Sequence, residues 1–344
     1  IIVIDDASTD GTAEYIKSLK VFKAIVSKER KGHTYWYDEG MRRAETDIVS
    51  ILHSDMIIGP GYFENMLKHL KRGKVVCATR IEPPIHPAGK EKIVRNFGDE
   101  AHNFMWDAFE KFTIQEKADS VGLTTRGIFA PWMLYKEDHL SIGGHDQRFA
   151  PFGYEDSDIF NRWILAGYEM IQSRDALVYH MTCRGHKWNK GVGIENPDYR
   201  DIMTRCEREY QRKWGDWIQN DNYQYPIINP KFDRGIIIKN CNENLLAQLE
   251  PWADTLYIDC EYENYIEKES ERTVVDLRDK IKPYDNEKQN AILVEVDGNT
   301  FTQQDYIYIR QLSPILKQNN PSPGEFNLNN LKLNIIRYEE EIFS

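Results

Sequence analysis

Short apolar runs that end in polar turns alternate with amphipathic stretches along the first 220 residues. Ile1-Ile2-Val3-Ile4 is β-branched at every position, the pattern of a strand buried on both faces of a parallel sheet. It stops at Asp5-Asp6-Ala7-Ser8-Thr9-Asp10-Gly11-Thr12, a polar turn in which Thr9 or Asp10 can cap a helix over residues 13–19. The same reading gives a strand over 21–26, a helix over 35–44, and a buried strand over 47–52 that runs into His53-Ser54-Asp55. A helix over 62–70 and a strand over 74–79 follow. This alternation, with short turns at the strand ends, predicts a doubly wound, Rossmann-like α/β domain. In such domains ligands sit beyond the carboxyl ends of the strands. Asp5-Asp6 and His53-Ser54-Asp55 both fall at that edge.

The pattern is less regular over 81–120. Glu82-Pro83-Pro84-Ile85-His86-Pro87 cannot be helix interior, and the aromatic stretch 97–112 reads as an insertion over the site. Periodicity returns with a strand over 129–135, a helix over 153–167, a short strand over 176–180 that ends in His180, and a charged helix over 201–214. The polar run Asn220 to Pro226 reads as a linker. Beyond it come strands over 235–239, 255–259, 291–296 and 331–336, with helices over 243–249 and 303–316. The expected organisation is therefore a first domain over 1–220 and a smaller α/β domain over 221–344.

Composition narrows the function classes. The 344 residues are 41% hydrophobic and 29% charged, enough for sizeable globular cores. With 44 Lys and Arg against 55 Asp and Glu, the net charge is −11 and the excess acid lies mostly beyond residue 230. Neither part offers the basic face that a nucleic-acid backbone requires. No apolar run approaches the length of a bilayer span, and no secretory signal pattern opens the chain. The five cysteines contain no Cys-x-x-Cys pair, which fits a reducing compartment and predicts a cytoplasmic protein.

Four separated clusters carry candidate chemistry: Asp5-Asp6, His53-Ser54-Asp55, Glu155-Asp156 and His180. A carboxylate at a strand end can accept hydrogen bonds from a base or ribose, or it can simply cap a turn. Asp55 offers the hard oxygen that Mg²⁺ or Mn²⁺ favours, and Mn²⁺ also accepts imidazole. His180 is a structural histidine or a ligand, and His186 is a weaker candidate in a basic-aromatic loop that can cover phosphates. Gly153-Tyr154-Glu155-Asp156-Ser157-Asp158 crowds three carboxylates at a helix mouth. One of them can serve as a general base, or all can complement the helix dipole. Asp158 and Arg162 are spaced to pair on one helix face. Among the aromatics, Trp132 and Tyr154 are better placed to stack on a sugar than Trp163 or Trp106.

Two stretches carry a resemblance. Val3-Ile4-Asp5-Asp6-Ala7-Ser8-Thr9-Asp10-Gly11-Thr12 resembles the opening of a family 2 glycosyltransferase with the GT-A fold. Gly143-Gly144-His145-Asp146-x-x-Phe149 and Gly153-x-Glu155-Asp156-x-Asp158-x-x-x-Arg162-x-x-x-x-Gly167-Tyr168 resemble that family's acceptor-side segment. The resemblance covers about residues 1–215 and implies a GT-A-like doubly wound mixed sheet. It implies an inverting hexosyl or N-acetylhexosaminyl transfer from a nucleotide-sugar donor, UDP being the commonest nucleotide, to the hydroxyl of a glycan or other acceptor.

The resemblance also implies residue roles. Asp6 lies against the donor nucleotide, with Asp5 beside it. His53-Ser54-Asp55 stands where the family has Asp-x-Asp, so Ser54 and Asp55 bind the donor, and Asp55, His180 and His53 hold Mn²⁺ or Mg²⁺. Asp156 is the general base, Glu155 orients the acceptor, and Trp132 and Tyr154 contact it.

Two departures stand out. Family members begin with an earlier strand and helix, whereas this chain starts at what would be the second strand. Loss of a central strand exposes unpaired backbone, which favours a truncated N-terminus. Tyr37-Asp38-Glu39-Gly40 also replaces the family's Arg-Asn-x-Gly. Two alternatives therefore remain, a sugar-phosphate nucleotidyltransferase and a non-catalytic carbohydrate-binding protein derived from the fold. Residues 221–344 suit acceptor recognition or a partner interface.

Overall fold

In the computed structural model, which describes residues 1–19, 23–182, 187–188, 194–338 and 340–341, the chain divides into two units. The first comprises Ile1–Met203 and Gln219–Ile227, the second Thr204–Ile218 and Ile228–Ser344. No helix among the described residues is long and apolar enough to cross a membrane.

The first unit runs β1 (Ile2–Asp5), α1 (Thr12–Ser18), β2 (Lys23–Val26), α2 (His33–Arg43), β3 (Ile48–Ile51), β4 (Met56–Ile58) and α3 (Tyr62–Leu67). It continues with β5 (Lys74–Glu82), β6 (Lys92–Val94), α4 (Trp106–Asp119), β7 (Thr124–Thr125), β8 (Trp132–Tyr135), α5 (Lys136–Ser141), α6 (Glu155–Leu165) and β9 (Glu169–His180). Helix α7 (Tyr199–Trp214) follows, and the division between the units falls within it.

The fold is mixed α/β, as the sequence predicts, but its strands form two sheets. β1 and β2 pair in parallel as a separate ribbon, while β3-β8-β5-β9-β4 make the spine of a seven-stranded mixed sheet. Among the described residues β1 pairs only with β2 and β3 only with β8, so one edge of each lacks a ladder partner.

β5 is central because its residues are buried along nearly its whole length, as a strand covered on both faces must be. Its register against β9 shifts between Ala78 and Thr79, so that Ala78 faces Ser173 but Thr79 faces Leu177. Beyond this irregularity Ile81 pairs with Tyr179, which brings Glu82 beside His180. On the other flank of β9, His180 pairs with Met56 of β4. A β-bulge re-aims the side chains that follow it. Here the shift sets Glu82 beside His180, and the β4–β9 pairing brings Asp55, the residue before Met56, to the same end of the sheet.

The region expected as an insertion over the site is largely a packed element. α4 lies against β9, and Phe97, Phe104 and Phe109 form a core with Ile81, Leu177, Tyr179 and Met181. The aromatic density that suggested a cover comes from this core around Tyr179, whose hydroxyl donates to the Gly98 carbonyl. From the region 81–120 the cleft is lined by Glu82, the 86–89 stretch, Glu91 and Lys92.

The second unit contains β10 (Lys231–Phe232), β11 (Arg234–Lys239), α8 (Glu243–Leu249), β12 (Thr255–Ile258), α9 (Glu263–Ser270), α10 (Leu277–Lys280) and β13 (Ile281–Pro283). It ends with β14 (Ile292–Asp297), α11 (Gln303–Arg310), α12 (Leu312–Asn319), β15 (Gly324–Leu328), β16 (Leu331–Ile335) and β17 (Glu340–Glu341). Its six-stranded sheet has the order β13-β12-β11-β14-β16-β15, parallel across the first four strands and antiparallel thereafter. The helix expected over 303–316 breaks at Gln311. Pro314 has no N–H to donate to Arg310 and its ring collides with that carbonyl in a continuous helix, so the chain restarts as α12.

Candidate functional site

The carboxyl ends of β1, β3, β5 and β9 open into one cleft of about 1940 Å³. Asp5, Asp6, His53, Ser54, Asp55, Asp156 and His180 all line it, although they are separated by up to 175 residues of sequence.

The two aspartates after β1 have different surroundings. Asp6 accepts hydrogen bonds from Lys31 N at 2.8 Å, Gly32 N at 2.8 Å and Trp36 Nε1 at 2.7 Å. These bonds anchor the start of α2 and occupy both carboxylate oxygens. Asp5 is buried; its Oδ2 accepts from Ser8 N at 3.3 Å, while Oδ1 has no hydrogen-bond partner. A buried acceptor without a partner is costly unless a ligand satisfies it. Asp5 rather than Asp6 therefore has the vacant acceptor at the cleft.

Gly32 supplies the turn into α2 at φ 85°. A Cβ there would lie 2.1 Å from the carbonyl oxygen of Pro151, and the adjacent His33 N–H donates to that oxygen at 3.0 Å. Gly32→Ala should thus lower thermal stability by about 1–3 kcal/mol through left-handed strain alone, with the steric overlap added. Differential scanning calorimetry checks this; an unchanged melting temperature would mean that the 151–152 segment yields freely.

His53, Asp55 and His180 each offer a ligand atom, all within 4.8 Å of one another. His180 Nε2 faces Asp55 Oδ2 at 3.4 Å, while its Nδ1 lies 3.1 Å from Glu82 Oε1. Glu82 is held in turn by Arg80 and by Lys92 at 2.9 Å each. A carboxylate behind a ligating histidine fixes the ring's orientation and tautomer, as metal sites require. On His53, Nε2 lies 2.7 Å from the Tyr37 hydroxyl. Burial pushes the His53 imidazole down to about 3, and the charge of His180 adds to this, so His53 is neutral. Burial alone would lower His180 too, but its bonds to Asp55 and Glu82 reverse the sign and raise it. Two imidazoles and a carboxylate fit Mn²⁺ well, and Mg²⁺ less well because it prefers an all-oxygen shell.

The head of α6 holds the paired carboxylates. Tyr154 adopts φ 68° at the N-cap, which turns the chain sharply into the helix. Glu155 is buried, its Oε1 paired with His33 Nε2 and its Oε2 accepting from Gly153 N. Asp156 faces the cleft instead. Burial would raise Glu155, yet the charge and hydrogen bond of His33 bring it down to about 2. Burial, then the charge of Glu155, raises Asp156 to about 6. Adjacent carboxylates whose surroundings drive their proton affinities apart are suited to different roles. The spacing of Asp158 and Arg162 produces the expected pair at 2.9 Å, and Arg162 also holds the Ile142 and Gly144 carbonyls.

The expectation that Trp132 stacks on a sugar is corrected. Trp132 is 0% exposed, with its indole packed on His139, His145 and Trp163. A ring enclosed by core residues has no face left for a sugar. Trp163 is equally buried. Tyr154 lies outside the cleft lining, and Trp106 meets Phe104 edge-on at the start of α4 but is 58% exposed. His186 lies outside the described residues.

Several site residues escaped sequence reading: His33, Tyr37, Glu82, and a buried brace of Asp38, His139 and His145. Asp38 Oδ1 lies 2.8 Å from His139 Nε2 and 2.7 Å from His145 Nδ1, and its Oδ2 accepts from His145 N. Burial opposes the Asp38 charge, but these bonds outweigh it and hold the carboxyl well below its usual range. The three side chains could also surround a cation. The direct bonds to Asp38 already account for their arrangement. The brace ties α2 to α5 and to the 143–146 turn ahead of α6. Its legible signals were Asp38, which stands where the resembling family has Asn, and His145, which lies in the Gly143-Gly144-His145-Asp146 motif.

Residues 1–140 match the model of glycosyl transferase family 2, and residues 117–187 match the N-terminal domain of galactosyltransferase. Among solved structures, GalNAc-T7 with UDP, GalNAc and Mn²⁺ is 13% identical with a TM-score of 0.44, covering 79% of this chain and 48% of that one. S. aureus TarS 1–349 is 13% identical with a TM-score of 0.35, covering 52% of this chain and 50% of that one. Its complex with UDP-GlcNAc is also 13% identical, with a TM-score of 0.34 and coverage of 60% and 55%. The chain thus spans about half the length of these structures. No curated protein sequence matches it significantly.

Proposed function

Residues 1–140 of this chain belong to glycosyl transferase family 2, and from that premise we propose an inverting transfer of a hexosyl or N-acetylhexosaminyl group from a UDP-sugar to an acceptor hydroxyl. The observation that carries the reading is Asp156. It is the carboxylate of its pair that faces the cleft, and it shares that cleft with Asp5 and the His53-Asp55-His180 group.

Asp156 takes the proton of the acceptor hydroxyl as that oxygen forms its bond to the anomeric carbon, and the bond to the diphosphate oxygen breaks on the opposite face. A base that titrates near 6 is ionised at neutral pH and still basic enough to accept the proton. No second carboxylate nucleophile is required, and Glu155 is occupied by His33 and Gly153. Asp5 receives the nucleotide through its vacant oxygen, and Ser54 lies beside the donor. His53, Asp55 and His180 would hold Mn²⁺, which supplies positive charge to the departing diphosphate. In this reading residues 1–220 do the chemistry, and 221–344 serve acceptor or partner recognition.

The full chain should release nucleoside diphosphate from one member of a panel of nucleotide sugars with Mn²⁺, and EDTA should stop the release. Glu82→Gln, which loosens the carboxylate behind His180, should raise the half-activating Mn²⁺ concentration about 10–100-fold. Pyrophosphate formed from a nucleoside triphosphate would assign a nucleotidyltransferase instead. Donor binding without turnover would assign a carbohydrate-binding role.

A further inference from the structure

His33 belongs to no motif in the sequence, yet through it α2 touches the carboxylate pair of α6. Its Nε2 meets Glu155 Oε1 across 122 residues of sequence. Its ring stacks on Tyr37 with centroids 5.2 Å apart and planes at 15°, and its backbone N–H holds Pro151. Gly32 permits this approach, because any side chain there would collide with Pro151. Immediately upstream, Lys31 and Gly32 donate to Asp6, so the imidazole stands on a backbone anchored at three successive N–H groups. Glu155 is consequently consumed, with its side chain 8% exposed and both oxygens occupied. Asp156 accepts no hydrogen bond from the described residues and lines the cleft.

We infer that His33 is a positioning residue: it captures the Glu155 carboxylate and leaves Asp156 as the one member of the pair turned to the acceptor hydroxyl. This rests on the reading of Asp156 as the base. The bland alternative, a helix-terminal histidine that merely packs, would leave the proton affinity of Asp156 unchanged when His33 is replaced.

The charged surroundings make the sign of the effect definite. Glu155, Asp156 and Asp6 face His33. Burial alone would lower its pKa, but Glu155 above all reverses this and raises it. Glu155 and His33 face Asp156, together with His145 and with Arg80 of β5, while Tyr37 and Cys77 in turn feel its charge. The His33 cation lowers the proton affinity of Asp156. Without it Asp156 binds its proton more tightly, and the acidic limb of the rate profile moves to higher pH.

Two measurements on the full chain test this. The first follows the His33 imidazole by NMR against pH, without substrate. It should titrate above the ordinary histidine value of about 6.5 and fall towards it in Glu155→Gln. The second measures UDP release from a UDP-hexose with Mn²⁺ and water as acceptor, in His33→Gln and His33→Ala. In both, kcat should drop about tenfold with KM within about twofold, and the acidic limb should move upward in pH. His33→Gln keeps a donor for Glu155, so a folding defect confined to His33→Ala does not obscure the result. A His33 that titrates at the ordinary value regardless of Glu155, or profiles that superimpose on the parent, would overturn the inference. If Asp156→Asn keeps full UDP release, the base reading fails instead, and the NMR titration still decides whether His33 holds Glu155.

Discussion

Asp156→Asn should cut nucleoside-diphosphate release by a factor of about 10²–10⁴ while donor binding and melting temperature stay close to those of the parent. Asn matches Asp in shape and cannot accept the proton at neutral pH. Because Asp156 accepts no hydrogen bond from the described residues, the exchange breaks none. Removing the charge relieves its repulsion with Glu155, so the fold has no reason to weaken. The pH dependence gives a second signature. In the parent, burial and the neighbouring Glu155 place the Asp156 proton near pH 6, so the rate should climb through that region to a plateau above about pH 7. The residual rate of the Asn variant should not show this limb. Single-turnover measurements with the best donor of the panel separate the chemical step from product release. Full activity in the variant would remove Asp156 from the mechanism.

Glu250→Gln should destabilise the second unit by about 3–5 kcal/mol, the usual cost of removing one partner from a buried ionic group. Glu250 is 0% exposed at the end of α8. Its carboxylate meets Lys280 Nζ at 2.7 Å, Arg212 Nη2 at 2.5 Å and Arg208 Nη2 at 3.0 Å, and accepts from the Tyr265 hydroxyl at 2.9 Å. Glu209 and Glu269 share the arginines from the other side. Gln preserves the volume but leaves three cations around a neutral amide, with Arg212 and Lys280 almost fully enclosed. The pH dependence has a definite sign. Burial would raise the Glu250 carboxyl, but Lys280 and Arg212 outweigh it and hold its folded pKa well below the ordinary value. A depressed carboxylate contributes stability above its unfolded pKa of about 4.3, and that contribution is lost as pH falls below it. Urea unfolding at pH 7 should therefore show the full difference between parent and variant, narrowing as the pH is lowered below about 4. A difference under 1 kcal/mol at pH 7 would show that the remaining acids compensate the cations.

Local pattern made the elements legible wherever short-range physics governs them. The apolar β-branched run 1–4, the helix at 243–249 and the strand at 255–258 sit within a residue or so of where alternation and capping place them. The misses have identifiable causes. The continuous helix expected over 303–316 overlooked the missing N–H of Pro314. The 97–112 stretch looked like a cover because its aromatic residues are many, yet they face inward around Tyr179, a residue some 70 positions away in sequence. Trp132 looked available for a sugar because nothing in the chain reveals that His139, His145 and Trp163 enclose it.

The site divides along the same line. By itself the sequence determined the chemical types present at the strand and helix ends: a pair of aspartates, a His-Ser-Asp turn, a Glu-Asp pair at a helix mouth and a strand-ending histidine. Turn chemistry and strand endings are encoded within a few residues, so these were readable. Which member of each pair keeps a carboxylate oxygen without a protein partner was decided only by tertiary structure. Asp6 is taken by Lys31, Gly32 and Trp36, which leaves Asp5 the vacant oxygen. Glu155 is taken by His33, which leaves Asp156. A register shift between β5 and β9 sets Glu82 behind His180. Proton affinity and ligand geometry depend on burial and on charges within a few ångströms, and those neighbours come from segments that are remote along the chain.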